Sequence, residues 1–481
     1  MAGDELHVVM LPWSAFGHMI PFLQLSMALA KAGVRVSFVS TPRNIHRLPR
    51  PPPTLSPQIQ MVELPLPALD YASHPLPEGA EATADVSFDQ IQFLKVAYDL
   101  LKHPFRRFVA DRSPDWIVVD FCSPWIADIA AEHRVPVIYF SVFSVTANVF
   151  AGPEGYLVGE GQRRLRSSPE SLTSPPEWLT FPSSVAFRSH EARSFHAGFF
   201  GGNASGVTDA ERLAETLSAC QAVAARGCNE FAGEYLGLFE KLIGKRVIPV
   251  GLLPPEPANG RNRDHREGKW CEIFKWLDEQ KPNSVLFVGF GSECKLNKDQ
   301  IFEIAHGLEL SELPFLWALR KPDWVTEDVD ALPPGFVRRT SGGGVVCLGW
   351  APQTEILGHP SIGGSLFHAG WGSAIEALQF GHCLVVLPFI IDQGLNARLL
   401  VEKGVAVEVE RREDGSFSRE DIAKSVRMAM ASEEGKGVRE RAREARKVFG
   451  DLQLHQDFYI AGFVEYLKNG VKKEQKPTVA P

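Results

Sequence analysis

Two patterns alternate along the chain: short apolar runs rich in Val, Ile and Phe, and longer stretches whose apolar residues recur at helical spacing. The opening HVVMLPW, then AFGHMIPFLQLSMALAKAG, then VRVSFVSTP reads as strand, helix, strand. In the middle piece Ile20, Leu23, Met27 and Ala30 fall at helical spacing, and Gly33 ends it as a C-cap. A strand–helix–strand unit implies a parallel sheet. DWIVVDF (115–121) is a further strand, followed by a helix from about Pro124 to His133 and a strand at VPVIYFS (135–141).

The second half repeats the scheme. SVLFVGFGS (284–292) is a strand running into a turn, and DQIFEIAHGLEL (299–310) is a helix. FLWALR (315–320), GVVCLGW (344–350), SIGGSLFH (361–368) and CLVVLPF (383–389) are strands separated by helical or turn material. Between the halves PPEPANGRNRDHREGK (254–269) is polar and rich in Pro and Gly, as linkers are. The expected fold is α/β, two doubly wound Rossmann-like domains facing across a cleft. Its parts are a domain at 1–250, a linker at 251–270, a domain at 271–450, a helix at 451–470 and a disordered tail at 471–481. In that helix Phe458, Ala461, Val464 and Leu467 form the apolar face, for packing or for a partner. Two long Pro/Ser/Gly-rich segments, 47–57 and 152–184, fit no sheet; they read as binding loops or as surface decoration.

Length supports two cores, since 481 residues exceed what one usually holds. A net charge of −8 argues against nucleic acid or an anionic membrane as partner. The seven cysteines form no CxxC pair, so neither a zinc site nor a disulfide framework is expected, and a reducing compartment fits. The N-terminus opens acidic with a short apolar run, unlike a signal peptide, and no apolar run approaches the ~20 residues of a membrane span. The expectation is a cytoplasmic monomer that takes no metal.

The candidate chemistry lies in FHAGWGSAIEALQFGH (367–382), where glycines crowd a strand-to-helix turn. A helix N-terminus offers unpaired N–H donors and positive dipole charge, which suit phosphate. Gly370 and Gly372 let a diphosphate approach the backbone, Ser373 adds a hydroxyl and His368 an imidazole. Glu376, one turn along, can accept hydrogen bonds from a ribose diol. The alternative is a helix start with small residues for packing. A second glycine turn, GFGSEC (289–294), has Cys294 where a dinucleotide fingerprint has its third glycine, and the first half offers only Gly17. That weakens a nicotinamide dehydrogenase.

From Trp350 to Gln393 the chain reads WAPQTEILGHPSIGGSLFHAGWGSAIEALQFGHCLVVLPFIIDQ. This resembles the signature box of plant UDP-dependent glycosyltransferases, with W-x-P-Q, I-L-x-H, H-x-G-W-x-S-x-x-E and a terminal D-Q. AFGHMIPFLQL, WLDEQKPNSVLFVGFGS and LNARLL extend the likeness over most of the chain. FVSTPRN, GLLPPE, FLWALRKP and DQGLNARLL look most like the family 91 group, many of whose members extend the sugar of an existing glycoside.

The resemblance implies a GT-B fold and a UDP-sugar co-substrate with no cofactor. It implies that Trp350 stacks on uracil, the Ala351 backbone reads its edge and Gln353 lies near the ribose. Glu376 takes the ribose hydroxyls; His368, Gly372, Ser373 and the turn at Ser292 face the diphosphate; Trp371 lies beside the donor; Asp392 and Gln393 hold the hexose. His18, in the first strand-to-helix turn, is the candidate base. Asp120, ending a strand of the same domain, is the candidate partner that fixes its tautomer. Attack by the activated hydroxyl inverts the anomeric carbon. The C-terminal helix is expected to return to the first domain.

Trp13, Ser14, Phe16, Phe121, Phe143 and Phe200 are candidate acceptor contacts, and each reads equally well as core. The acceptor is expected to be a small apolar natural product already glycosylated, a terpenoid, steroid or flavonoid glycoside.

Three departures from the box matter. Gly372 replaces a usual asparagine, a loss of about 0.5–1.5 kcal/mol if nothing replaces its bond. Ala369 replaces cysteine, and His382-Cys383 stands where a residue followed by proline is usual. Gln393 favours UDP-glucose; UDP-rhamnose is the alternative. From another class, a non-catalytic nucleotide-sugar binding protein would keep the box but lack His18 or Asp120. A glycosidase needs two carboxylates flanking one bond, and Asp120 has no evident partner.

Overall fold

The run HVVML forms β1 (His7–Leu11), buried at every position. A strand covered on both faces needs no polar side, which is why its sequence shows no alternation. The computed structural model describes residues 6–67, 75–159, 166, 168–256 and 269–474. It divides into two units, one of residues 1–167, 196–253 and 453–481, the other of 168–195 and 254–452.

In the first unit β1 is joined by β2 (Arg35–Ser40), β3 (Ile59–Glu63), β4 (Trp116–Val119), β5 (Val137–Ser141), β6 (Ala222–Ala225) and β7 (Arg246–Pro249). Their order is β3-β2-β1-β4-β5-β6-β7, parallel throughout. The helix Phe16–Lys31 connects β1 to β2, and Gly33 follows it with φ +78°. Of the expected face Leu23 and Ala30 are buried, with Met19, Phe22, Leu25, Ser26 and Leu29 beside them, whereas Ile20 and Met27 are only half-buried.

The C-terminal helix Ala461–Glu474 belongs to this unit, where the Trp116 indole N–H donates to the Leu467 carbonyl at 3.0 Å. Its buried residues are Phe463, Val464 and Leu467, with Ile460 just before it, whereas Phe458 is 61% exposed and Ala461 is also exposed. That corrects half of the expected apolar face. A π-helical stretch, Leu454–Ile460, precedes the helix and shifts the phase, so Phe458 and Ala461 fall off the face on which Val464 and Leu467 are buried. The helix also runs through residues 471–474, which were expected in a disordered tail; the rest of that tail lies outside the described residues.

The second unit holds β8 (Val285–Gly289), β9 (Phe315–Leu319), β10 (Gly344–Leu348), β11 (Ile362–Phe367), β12 (Cys383–Val386) and β13 (Ala406–Glu408). Their order is β10-β9-β8-β11-β12-β13, again all parallel. Most of the expected linker, 257–268, lies outside the described residues. Residues 168–195 join this unit rather than the first 250 residues as expected. The reason is a buried charge cluster. Glu191 accepts from the Arg398 guanidinium and from the Arg188 N–H at 2.8 Å. Glu408 receives Arg398 at 2.7 Å and Arg188 at 3.1 Å.

Each sheet therefore reverses its winding once, between β1 and β4 and between β8 and β11. In such sheets ligands collect beyond the carboxyl ends of the strands at that reversal.

Candidate active site

His18 lies in the first turn of the helix after β1, and Asp120 directly follows β4. These are the two strands at the reversal, and Leu11 and Val119 at their ends are register partners. The His18 Nδ1 stands 2.7 Å from Asp120 Oδ2. Asp120 is fully buried, with Oδ2 also accepting the Trp13 N–H at 3.1 Å and Oδ1 the Phe121 N–H at 2.8 Å. A carboxylate can only accept, so Nδ1 carries the imidazole proton and Nε2 keeps its lone pair. Phe121 and Phe143 flank the ring, with centroids at 5.7 and 5.3 Å. The pair can take a proton from a hydroxyl and stabilise the imidazolium that results.

The other acceptor candidates divide. Phe16 is half-buried, with the Arg47 guanidinium 5.0 Å above its ring. The Trp13 and Ser14 side chains are buried, Trp13 edge-on to Tyr98 at 5.0 Å, and the turn contributes through its backbone instead. Phe200 packs on His196 and Phe199.

Sequence reasoning missed the groups that hold the Asp120 loop. Arg212, buried and paired with Asp99, donates to the Cys122 carbonyl at 3.0 Å, and the Thr216 hydroxyl donates to the Phe121 carbonyl at 3.2 Å. No local pattern marks an arginine whose partners lie about ninety residues away.

In the second unit His368 follows β11 and the Ser292 turn follows β8, again the two strands at the reversal. The imidazole sits between two glycines. A Cβ on Gly291 would lie 2.9 Å from its Cε1, and one on Gly370 would lie 2.5 Å from its Nε2. Burial pushes the His368 pKa down to about 4, so the ring is neutral near pH 7. Gly370 opens the helix Trp371–Leu378 without a side-chain cap, leaving the N–H donors of Gly372 and Ser373 half-exposed in its first turn. Arg320 donates to the Ser292 carbonyl and pins the facing turn.

Gln353 donates to Glu376 at 2.6 Å, so the two expected ribose groups are neighbours. Trp350 is 65% exposed, its ring edge-on to Trp270 at 6.4 Å, and Ala351 beside it is half-buried. A solvent-exposed indole of this kind suits a flat base. Trp371, which the resemblance places beside the donor, has its side chain buried against Phe449. Gln393 Oε1 accepts the N–H groups of Phe389 and Ile390 at 2.9 and 3.0 Å, which aims its amide NH2 the other way. Asp392 accepts from Asn396 at 2.8 Å. Among the described residues no helix is long and apolar enough to cross a membrane.

Residues 249–437 match the family model for UDP-glucoronosyl and UDP-glucosyl transferase. UDP-glycosyltransferase 91A1 of Arabidopsis thaliana is 43% identical, over 97% of each chain. A soyasaponin III rhamnosyltransferase of Glycine max is 39% identical, over 96% of this chain and 95% of that one. The crystal structure of Glycyrrhiza uralensis UGT73P12 superposes with a TM-score of 0.80 at 24% identity, covering 98% of this chain and 97% of that chain, and carries the same GT-B fold. With full-length identity at this level, the chain belongs to the UDP-dependent glycosyltransferase family and is an enzyme of that kind.

Proposed function

We propose that the chain transfers a hexose, glucose by preference, from its UDP-sugar to a hydroxyl on the sugar of a small apolar glycoside, with inversion at the anomeric carbon. The acceptor oxygen attacks that carbon, its proton passes to His18 Nε2, and the bond to the diphosphate breaks with the electron pair leaving on UDP. Asp120 holds the tautomer and the developing imidazolium. His368, the Ser292 turn and the N–H donors of Gly372 and Ser373 take the diphosphate. Trp350 and Ala351 take uracil, Gln353 and Glu376 the ribose, and Asp392 and Gln393 the hexose. The single observation carrying this reading is the His18–Asp120 contact at 2.7 Å on the two strands where the first sheet reverses.

A second donor, UDP-rhamnose, is kept by two observations: Gly372 brings no side chain to the diphosphate turn, and a relative at 39% identity is named a rhamnosyltransferase. The test supplies purified protein with UDP-glucose or UDP-rhamnose and a panel of aglycones and monoglucosides. A mass gain of one hexose on the glucosides alone supports the first reading. A gain of one deoxyhexose supports the second, and no product with either donor overturns both.

A further inference from the structure

Asn396 sits one helical turn after Asp392 in the helix Gln393–Glu402 and is fully buried. Its amide nitrogen lies 2.8 Å from Asp392 Oδ2 and 3.1 Å from the Ala369 carbonyl oxygen. An amide NH2 has two protons, and here each has its own acceptor. The two acceptors belong to different parts of the donor site. Asp392 precedes the helix at the hexose end, while Ala369 lies between His368 and Gly370 at the diphosphate end.

Ala369 is also the strained point of that turn, at φ +62°, a conformation L-residues with a Cβ rarely adopt. A bond from a buried donor to its carbonyl holds the peptide in the orientation that leads into the first turn of the Trp371–Leu378 helix.

We propose that Asn396 is a positioning residue of the transfer site: its one amide holds the Asp392 carboxylate and the Ala369 carbonyl together, setting the hexose-binding turn in register with the diphosphate-binding turn. It touches neither donor nor acceptor. The proposal rests on the donor-site reading above, in which Asp392 holds the hexose.

Asn396→Asp keeps the shape and removes both donors. The new carboxylate then faces that of Asp392 about 2.8 Å away. Repulsion between two carboxylates so close raises the pH at which the pair gives up its last shared proton. The other charged groups near this helix start are Glu191, packed against Gly394, Arg398 two residues on, and His368 beside Ala369. None of them is altered by the substitution.

The test measures kcat/KM for the UDP-sugar from pH 5.5 to 8 in wild type, Asn396→Asp and Asn396→Ala, with UDP affinity and the unfolding midpoint of each. At pH 8 both variants should lose on the order of tenfold or more. On acidification the ratio of Asn396→Asp to wild type should climb, because a shared proton restores a donor toward Asp392, while the ratio for Asn396→Ala stays flat. A flat ratio for Asn396→Asp would overturn the proposal. If Asn396→Asp does not fold, the Asn396→Ala change in an Asp392→Ala background decides: a reduced effect there supports positioning through Asp392, and full additivity overturns it. Asp392→Asn alone separates the two claims. If that change leaves turnover intact, the donor-site reading fails; if it impairs turnover while Asn396→Asp at pH 8 does not, only the positioning claim fails.

Discussion

Replacing Asp120 by asparagine changes almost no volume and tests the proposed catalytic pair directly. The carboxylate receives three N–H groups, from His18, Trp13 and Phe121, and an amide can accept on one atom only. With its oxygen in the Oδ2 position, the new NH2 meets the Phe121 N–H. Reversed, it meets Trp13 and His18, which forces the His18 proton onto Nε2 and removes the base. Either way a buried donor is stranded, at about 1–3 kcal/mol of stability. The larger effect falls on the transition state. A carboxylate about 4 Å from the imidazolium centre is worth about 4 kcal/mol at an effective dielectric constant near 20. That corresponds to a fall in kcat of roughly three orders of magnitude. UDP release with a saturating acceptor measures kcat, and calorimetry measures UDP affinity, which should not change because Asp120 lies in the other unit from the nucleotide residues. A variant that keeps kcat within tenfold of wild type would refute the reasoning.

Trp350→Ala should weaken UDP by roughly 10- to 100-fold, the usual value of an aromatic–base stack, without lowering the unfolding midpoint, since the ring is 65% exposed; an affinity change under twofold would rule the stack out. Gly370→Ala should cost UDP affinity more than stability, because a Cβ 2.5 Å from His368 Nε2 must push the imidazole aside; calorimetry alongside thermal unfolding separates the two effects. Arg398→Met should destabilise by about 3–5 kcal/mol by leaving Glu191 and Glu408 buried without the guanidinium that bonds both. Limited proteolysis should then cut first within 168–195, and an unchanged cleavage pattern would contradict the anchoring role of the cluster. His7, His368 and His382 are each pushed down to about 4, chiefly by burial. Their unfolded forms gain protons near pH 6.5 while the folded forms stay neutral, so each costs on the order of 3 kcal/mol as pH falls from about 6.5 to 4. The unfolding midpoint should therefore drop steadily over that window, and a level profile between pH 7 and 5 would refute it.

What was legible in the sequence follows from how local each signal is. β1, β8 and β11 were read from continuous apolar runs, and the Gly370 turn from its composition, because each needs only neighbours along the chain. β6 (AVAA) and β13 (AVE) were not, since three or four small residues make no pattern against their surroundings. The C-terminal face was misread because a π-helical turn changes the count without any residue that marks it. The assignment of 168–195 was out of reach for another reason. It depends on Glu191 meeting Arg398, 207 positions away, and a Pro/Ser-rich segment gives no hint of which sheet it covers. Trp371 shows another limit: the resemblance places it beside the donor, and nothing local to the sequence says that its indole packs against Phe449.

The functional groups that were legible share a feature that was not: backbone N–H donors hold several of them before any ligand arrives. Asp120 receives the N–H groups of Trp13 and Phe121, and Gln393 Oε1 receives those of Phe389 and Ile390. A side chain fixed in this way spends no rotamer entropy on binding and keeps one chemical face toward the substrate. For Gln393 this has a direct consequence. Its oxygen is committed to two donors, so the face left for a sugar is the NH2, and a sugar hydroxyl there must act as acceptor. Flipping the amide to suit a different donor would strand two backbone N–H groups, each at about 1–3 kcal/mol. If Gln393 takes the hexose, as proposed, selection between hexose and deoxyhexose at this position turns on where the sugar places its oxygen, and not on the amide adapting to it.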